Sequence, residues 1–239
     1  MWRDALKQRG YAVEELPVCN YQSLTNEITI KDTAEGFGRA LRTNSRIDKD
    51  QPFDAIVHST GMLVLRSWLT TSPIGRKRLK HLIGLAPATF GSPLAHKGRG
   101  FIGAIFKGNK VIGPDFLEAG DAILDELELG SRFTWDLTHK DLLGKEPFYS
   151  KGPDTPYVFI FCGTESYGGI RQLTNEPGTD GTVRWAGCSL STQKITIDLT
   201  RDPDQSQLMA PRATATDNVA RNVLPMPFWP IAGKNHATI

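Results

Sequence analysis

The sequence has few cysteines, no excess of charge of either sign and no long apolar run. Its three cysteines, Cys19, Cys162 and Cys188, are widely separated and odd in number, which is typical neither of a disulfide framework nor of a zinc site, so we expect free thiols. The 28 basic and 26 acidic residues give a net charge of +2, which argues against a dedicated nucleic-acid surface. The one basic cluster, from Arg76 to Lys80, is predicted to be a solvated helix end or loop.

No apolar stretch reaches the length of a membrane span, and the first residues, Met1 to Lys7, lack the apolar core of a signal peptide. We therefore expect a soluble, cytoplasmic protein. With 239 residues, of which 39% are hydrophobic, the chain is long enough for one sizeable core, and a single domain over residues 1–239 is the simplest expectation.

A strand followed at once by a helix is the most informative pattern in the chain. Residues 53–57 form a short, mostly apolar run that predicts a buried strand, and apolar residues recur at helical spacing from Met62 to Leu69. Only His58-Ser59-Thr60-Gly61 separates them. A turn this tight lifts the Ser59 side chain clear of the backbone, at the positive end of the helix. The alternative is that Ser59 is a plain helix N-cap.

This turn resembles the nucleophile elbow of the α/β-hydrolases, in the His-Ser-x-Gly form of lipases and esterases. It departs from the G-x-S-x-G pattern at its first position, which is Val57 here. The elbow crowds this residue against the following helix, so a β-branched side chain needs extra room.

Helical and strand patterns alternate along the chain, which predicts a mostly parallel sheet with helices on both faces. Thr33 is predicted to cap the second helix, and Ile28 and Ile30 alternate as in a minor strand. The predicted helices cover residues 2–9, 34–43, 60–69 and 116–129, and the predicted strands cover 11–18, 53–57, 81–86, 157–162, 194–200 and 223–231.

A loop rich in Gly, Ser and Pro follows the strand at 81–86 and resembles the place where lipase-like members open a lid or cap. We therefore expect a cap insertion over residues 94–151. Its clearest element is the amphipathic run from Phe116 to Leu129. The alternative is an ordinary surface helix packed on the sheet.

A serine nucleophile needs a base and a third group that orients the base, and in this fold they follow in the order Ser, acid, His. His236 is the one histidine that follows the strand at 157–162, whereas His58 is expected to point to the opposite side of the strand end. Two acids follow that strand. Asp180, in a Gly-Thr-Asp-Gly-Thr-Val turn that resembles the family's Asp-Gly-x-Val motif, is favoured over Glu165.

The resemblance implies a serine hydrolase that cleaves carboxylic esters of small molecules or lipids through Ser59, His236 and Asp180. The Thr60 N–H would donate to the oxyanion, and no metal or cofactor is required. A peripheral contact with a lipid interface is a further expectation, and no nucleic-acid partner is expected. Two alternatives stay open, a silent binding protein with this fold and an acyltransferase or thioesterase that uses the same three residues.

The resemblance also implies strands before residue 1, since the second oxyanion donor of this fold comes from a loop after an earlier strand. No His-Gly or Gly-Gly segment precedes Ser59. We therefore expect these residues to be a fragment of a larger hydrolase, with the first strands and any targeting segment lying upstream.

Overall fold

The computed structural model describes residues 2–14, 27–48, 50–97, 121–146, 148–149, 154–169, 172, 175–192 and 226–239. The strands in these ranges are β1 (Phe53–His58), β2 (Leu79–Leu85), β3 (Tyr157–Gly163) and β4 (Phe228–Ile231). The helices are α1 (Trp2–Gln8), α2 (Ile30–Thr43), α3 (Gly61–Thr71), α4 (Pro73–Arg78), α5 (Asp121–Leu127), α6 (Arg132–Asp141) and α7 (Trp185–Cys188), with a short 3-10 helix at Ala95–Lys97.

The four strands form one sheet in the order β1-β2-β3-β4, and every neighbouring pair is parallel. Parallel pairing brings the carboxyl ends of all four strands to one edge of the sheet. The register aligns His58 with Leu85 and Leu85 with Phe161 near that edge. The predicted parallel sheet is therefore confirmed, and the loops that follow its strands emerge side by side.

One face of the sheet packs on helices α2 and α3. Leu82 of β2 and Ile160 of β3 are fully buried there, in one cluster with Met62 of α3. Helix α2 lies on α3 through an edge-to-face contact between Phe37 and Trp68, whose ring centroids are 5.1 Å apart. This core fixes α3 against β1 and so fixes the turn between them.

The opposite face carries aromatic side chains that remain partly in solvent. Trp229 of β4 stacks on Phe161 of β3 at a centroid distance of 5.1 Å, and 42% of Trp229 is exposed. Tyr157 is 52% exposed and Ile56 is 38% exposed. The two faces therefore differ sharply in burial within the described residues.

Helix α2 begins four residues earlier than the sequence pattern predicts. Its N-cap is Thr29, whose hydroxyl accepts from the Asp32 N–H while the Asp32 carboxylate accepts from the Thr29 N–H. This reciprocal pair is a capping box. The interpretation of Thr33 as the cap and of residues 28–30 as a minor strand is therefore wrong, because Ile30 is already the first helical residue and is buried.

The other elements depart from the predictions mainly at their ends. Strand β2 starts at Leu79, directly after α4, and β3 extends to Gly163. Helix α4 carries Arg76, Lys77 and Arg78 in its last turn, as expected for a basic helix end. No strand forms over residues 11–14, and β4 begins only at Phe228. The predicted elements at 15–18, 116–120, 194–200 and 223–225 lie outside the described residues.

Two α-helices and the short 3-10 helix are described in the range predicted to be a cap. Helix α5 buries Leu124 and Leu127, which belong to the amphipathic run seen in the sequence. Helix α6 is capped by Ser131, whose hydroxyl accepts from the Thr134 N–H, and the sequence patterns did not predict it. Whether residues 94–151 act as a cap stays a prediction.

A buried ion pair joins α6 to α3. Arg66 of α3 donates from Nε and Nη2 to the two carboxylate oxygens of Asp141 at 2.7 and 2.9 Å, and both side chains have no exposed surface. The Tyr149 hydroxyl donates to the same carboxylate at 2.6 Å, and burial raises the pKa of this phenol well above its ordinary value. Arg66 also donates to the Thr89 carbonyl in the loop after β2.

We predict that Asp141→Ala lowers the free energy of unfolding by about 3–5 kcal/mol, because it leaves the Arg66 charge buried and unpaired. Asp136→Ala is the matched control. It breaks an exposed pair on the same helix, between Arg132 and Asp136 at 3.7 Å, and should cost less than about 1 kcal/mol. Urea denaturation measures both values, and equal losses would contradict the prediction.

Candidate active site

Ser59 occupies a strained backbone turn between β1 and α3. Its φ of 52° lies in the left-handed region, which costs a residue other than glycine about 1–3 kcal/mol. Three hydrogen bonds hold this conformation: the Ser59 N–H donates to the Leu85 carbonyl, and the Ser59 carbonyl accepts from the N–H groups of Met62 and Ala88. A strained residue held so firmly is typical of a functional turn.

The room needed by Val57 comes from Gly61. A Cβ added to Gly61 would lie 3.4 Å from the Val57 Cβ, so the missing side chain lets α3 pass beside the β-branched residue. Gly61, the second glycine of the G-x-S-x-G pattern, therefore leaves space for Val57 at the first position of that pattern.

His236 lies beside Ser59, in the loop after β4. Its Nε2 is 3.0 Å from the Ser59 Oγ, and its Nδ1 is 3.0 Å from the Asp180 Oδ2. A carboxylate accepts hydrogen bonds, so it selects the imidazole tautomer that carries the proton on Nδ1. Nε2 then presents a lone pair to the Ser59 hydroxyl. Both partners of this imidazole are buried, since Asp180 has no exposed surface and Ser59 has 9%.

The loop of Asp180 is closed around its own carboxylate. Oδ1 accepts from the N–H groups of Thr182 and Val183 at 3.0 and 2.9 Å, which leaves Oδ2 free for His236. The Asp180 carbonyl also accepts from the His236 N–H at 3.0 Å, so backbone and side chain join the two loops. Both oxygens of the buried carboxylate therefore accept hydrogen bonds.

Glu165 is exposed near the end of β3. Its backbone N–H donates to the Lys234 carbonyl at 2.8 Å and so ties β3 to the loop that carries His236. No hydrogen bond between its carboxylate and His236 occurs in the described part of the chain. Of the two candidate acids, Asp180 is the one placed beside His236.

Thr60 directly follows the serine and caps α3. Its N–H makes no hydrogen bond with any described residue, so it is available to a bound oxygen. Its hydroxyl oxygen is buried and likewise finds no partner among the described residues. An unpaired buried polar atom next to the serine is a feature that native structures rarely carry without a reason.

His58 does not point away from the site, and the expectation that it does is wrong. Its Nε2 is 2.8 Å from the His236 carbonyl oxygen, and the two imidazole centroids are 4.7 Å apart. Burial of the ring, followed by the neighbouring His236, lowers the pKa of His58 from 6.5 to about 4, although the residue as a whole keeps part of its surface in solvent. The last residue of β1 and the loop after β4 meet on the open face of the sheet.

Two thiols lie behind the acid. The Cys162 Sγ is 3.8 Å from the Asp180 Oδ2, and the Cys188 Sγ is 3.5 Å from the Cys162 Sγ. Both cysteines are free and buried. The hydrogen bond to Cys162, together with burial, raises the pKa of the Cys188 thiol well above its ordinary value. Buried thiols of this kind are inert and serve as apolar packing against the acid loop.

Several residues that support the acid loop were missed in the sequence. Tyr167 covers the loop, and its hydroxyl lies 2.8 Å from the Thr182 Oγ1. The Thr182 carbonyl accepts from the buried Ser92 hydroxyl at 2.6 Å. A local pattern cannot find such partners, since Ser92 and Thr182 are 90 positions apart. The Asp-Gly-Thr-Val signal identified the loop itself.

Other kinds of site find little support in the described residues. No group of three or more His, Cys, Asp or Glu side chains there could hold a metal ion, and none of the described helices is long and apolar enough to cross a membrane. A concavity of about 630 Å³ lies away from Ser59, where Arg3 and Lys7 of α1 face Arg46. It contains none of the residues described above.

Known proteins similar to this chain are found among solved structures. No protein-family model and no curated protein sequence matches the chain significantly. Among solved structures, phospholipase PlaB from Legionella pneumophila is 29% identical, with a TM-score of 0.60 over 79% of this chain and 41% of that one. The mature lipase BlEst2 from Bacillus licheniformis is 14% identical, with a TM-score of 0.51 over 88% of this chain and 69% of that one.

The metagenomic carboxyl esterase MGS0156 is 17% identical, with a TM-score of 0.52 over 77% of this chain and 52% of that one. The chain has the α/β-hydrolase fold of lipases and esterases. It spans less than half of the length of phospholipase PlaB. Ser59 directly follows β1, Asp180 lies in the segment between β3 and β4, and His236 lies in the loop after β4.

We predict that Gly181→Ala destabilises the acid loop more than Gly178→Ala. Both glycines have positive φ, 100° and 75°, so each alanine costs about 1–2 kcal/mol in backbone strain. Only at Gly181 would the new Cβ meet a neighbour, at 2.6 Å from the Tyr167 ring, which adds about 1–3 kcal/mol of overpacking. Urea denaturation of both variants measures the difference, and a Gly178 variant as unstable as the Gly181 variant would contradict this account.

Proposed function

We propose that the protein is a serine hydrolase of carboxylic esters, with Ser59 as the nucleophile, His236 as the general base and Asp180 as the residue that orients the base. The proposal depends on two hydrogen-bond contacts of the same imidazole: His236 Nε2 lies 3.0 Å from Ser59 Oγ, and His236 Nδ1 lies 3.0 Å from Asp180 Oδ2. The fold shared with lipases and esterases supports the same reaction class.

In the proposed reaction, His236 Nε2 takes the proton of the Ser59 hydroxyl as its oxygen attacks the acyl carbonyl. The imidazole then carries a positive charge, which the Asp180 carboxylate stabilises across Nδ1–H. His236 next donates the proton to the leaving alcohol. Water, activated by the same imidazole, releases the acyl group from Ser59 and restores the enzyme.

The negative charge on the carbonyl oxygen requires donors in the tetrahedral intermediate. The Thr60 N–H is suited to this role because it lies at the N-terminus of α3 and bonds to no described residue. Each such donor contributes about 2.7–4 kcal/mol of transition-state stabilisation in a well-studied serine hydrolase. Helix α3 adds the positive end of its dipole at the same place.

Lipid esters, including phospholipids, are the proposed substrate class. The support is the 29% identity to a phospholipase over 79% of this chain, together with two further structural neighbours named as a lipase and a carboxyl esterase. Peripheral contact with a lipid interface is proposed to deliver such substrates, and residues 94–151 are proposed to act as the cap over the acyl chain.

We predict that a fluorophosphonate probe labels the protein and that Ser59→Ala abolishes the labelling. The substitution should leave the urea midpoint nearly unchanged, because one hydroxyl is lost at a turn held by backbone hydrogen bonds. Ser45→Ala is the control, since Ser45 is an exposed serine in the turn after α2, and its substitution should not affect labelling.

Protein that has not been exposed to the probe is assayed in parallel on acetate and octanoate esters and on phosphatidylcholine vesicles. Hydrolysis of the octanoate ester or of the vesicles above the rate of the Ser59→Ala variant supports the proposal. A protein that folds but shows neither labelling nor turnover would instead be a binding protein with this fold.

We predict that Asp180→Asn lowers kcat by up to about 10⁴-fold, because an amide that donates to Nδ1 favours the wrong imidazole tautomer. Glu165→Gln is the matched control, since this carboxylate is exposed and makes no hydrogen bond to His236 within the described ranges. It should change kcat by less than about threefold, within the effect of an ordinary surface substitution. Steady-state kinetics on one ester ranks the two, and the reverse ranking would move the acid to Glu165.

A further inference from the structure

His58 makes a contact that the proposed reaction does not use. His58 is the residue directly before the nucleophile, and its Nε2 lies 2.8 Å from the His236 carbonyl oxygen. A carbonyl oxygen only accepts hydrogen bonds, so this nitrogen must carry the proton. The tautomer of His58 is therefore the one with a proton on Nε2, opposite to that of His236.

The environment of His58 favours its neutral form. Burial of the ring and the adjacent His236 both lower its pKa, to about 4, against the opposing effects of the His236 carbonyl and the Asp180 charge. At neutral pH the contact is therefore a hydrogen bond between uncharged groups. This matters because the two rings are 4.7 Å apart, and a charged His58 would repel the imidazolium that His236 becomes during the reaction.

Among the described residues, His236 makes four hydrogen bonds with three partners. Two come from Asp180, at the backbone N–H and at Nδ1, and one is the contact between Nε2 and Ser59. The fourth, at the carbonyl, comes from His58. The Ser59 contact is consumed when the serine attacks, and it is absent while Ser59 carries an acyl group. In that state the His58 bond is the remaining hydrogen bond, among the described residues, between His236 and the strand that carries the nucleophile.

We propose that His58 is a positioning residue, whose neutral Nε2–H holds the His236 backbone in register with Ser59 throughout the reaction cycle. This inference rests on the proposed function, since it assigns His58 a role in that reaction. The bond fixes the loop after β4 to the end of β1 without using any atom that reacts. It therefore keeps the base within reach of water at the deacylation step, when the bond to Ser59 no longer guides it.

The test compares His58→Leu with His58→Gln. Leucine removes the donor and leaves the His236 carbonyl unpaired, whereas the glutamine amide carries an N–H at a similar reach. We expect His58→Leu to lower kcat by about 10- to 100-fold with little change in KM, because the His236 carbonyl loses its donor and the base is no longer held in place. His58→Gln should recover kcat to within about threefold of the unmutated protein.

His81→Gln is the matched control. His81 lies on the neighbouring strand and bonds to Asp54 at 2.7 Å, away from the site, so its substitution should leave kcat unchanged. The rate of fluorophosphonate labelling gives a second readout, because it reports on the attack step alone. A His58→Leu variant with unchanged kcat, or a His58→Gln variant as slow as His58→Leu, would overturn the proposal.

A measurement independent of activity separates this inference from the proposed function. Nitrogen-15 spectra of the histidines in the unmutated protein should show His58 neutral at pH 7, with its proton on Nε2, and should show no titration of this ring above about pH 5, given its lowered pKa. A His58 ring that titrates near its ordinary pKa, or that carries its proton on Nδ1, would overturn the proposal that its Nε2–H holds the His236 carbonyl. Absence of fluorophosphonate labelling in the same sample would refute the proposed function, and with it the role of His58 in the reaction, whereas the spectra would still report on the hydrogen bond itself.

Discussion

The hydrogen bond between Asp180 and His236 is the interaction on which the rest of the site depends. It joins two loops that are 56 positions apart and is reinforced by a backbone bond between the same two residues. A buried carboxylate needs donors on both oxygens, and the turn after Asp180 satisfies only one of them. The imidazole of His236 is thus as necessary to the folded acid loop as the acid is to the imidazole. The folded acid loop and the proposed reaction therefore both depend on the contact between Asp180 and His236.

The topology explains why these loops meet. The strand order runs in one direction, and α2 and α6 both pack on α3, which lies against one face of the sheet. All loops that follow the parallel strands then emerge at the same edge. On the opposite face, described aromatic residues such as Trp229 keep part of their surface in solvent.

The sequence predicted the parts of this arrangement that depend on local geometry. An apolar strand, a four-residue turn and a helical repeat predict the turn at Ser59, whereas Asp180 is favoured over Glu165 only through the resemblance of its turn to the family's Asp-Gly-x-Val motif. The start of α2 differs from the prediction because the capping box of Thr29 with Asp32 begins the helix within the segment whose alternation of Ile28 and Ile30 indicates a strand.

The contact of His58 could not be predicted in the same way. It depends on where a loop 178 positions away comes to rest, which no local pattern contains. The burial of Arg66 could not be predicted either. In the sequence it is one more charged residue on a helix, but in the structure it is fully buried against Asp141. Long-range polar pairs of this kind are decided by the tertiary fold.

Arg66 also shows how the strain at Ser59 is offset. The helix that begins at the strained turn returns, about two turns later, to bond the Thr89 carbonyl, and the loop of Thr89 in turn bonds the Ser59 carbonyl through the Ala88 N–H. The Thr89 hydroxyl donates to the Cys188 carbonyl just after the acid loop. These hydrogen bonds form one network that links the nucleophile turn, the loop after β2 and the segment that follows Asp180. The left-handed conformation of Ser59 can relax only if several of these buried hydrogen bonds break together, so the network holds the serine in position toward His236.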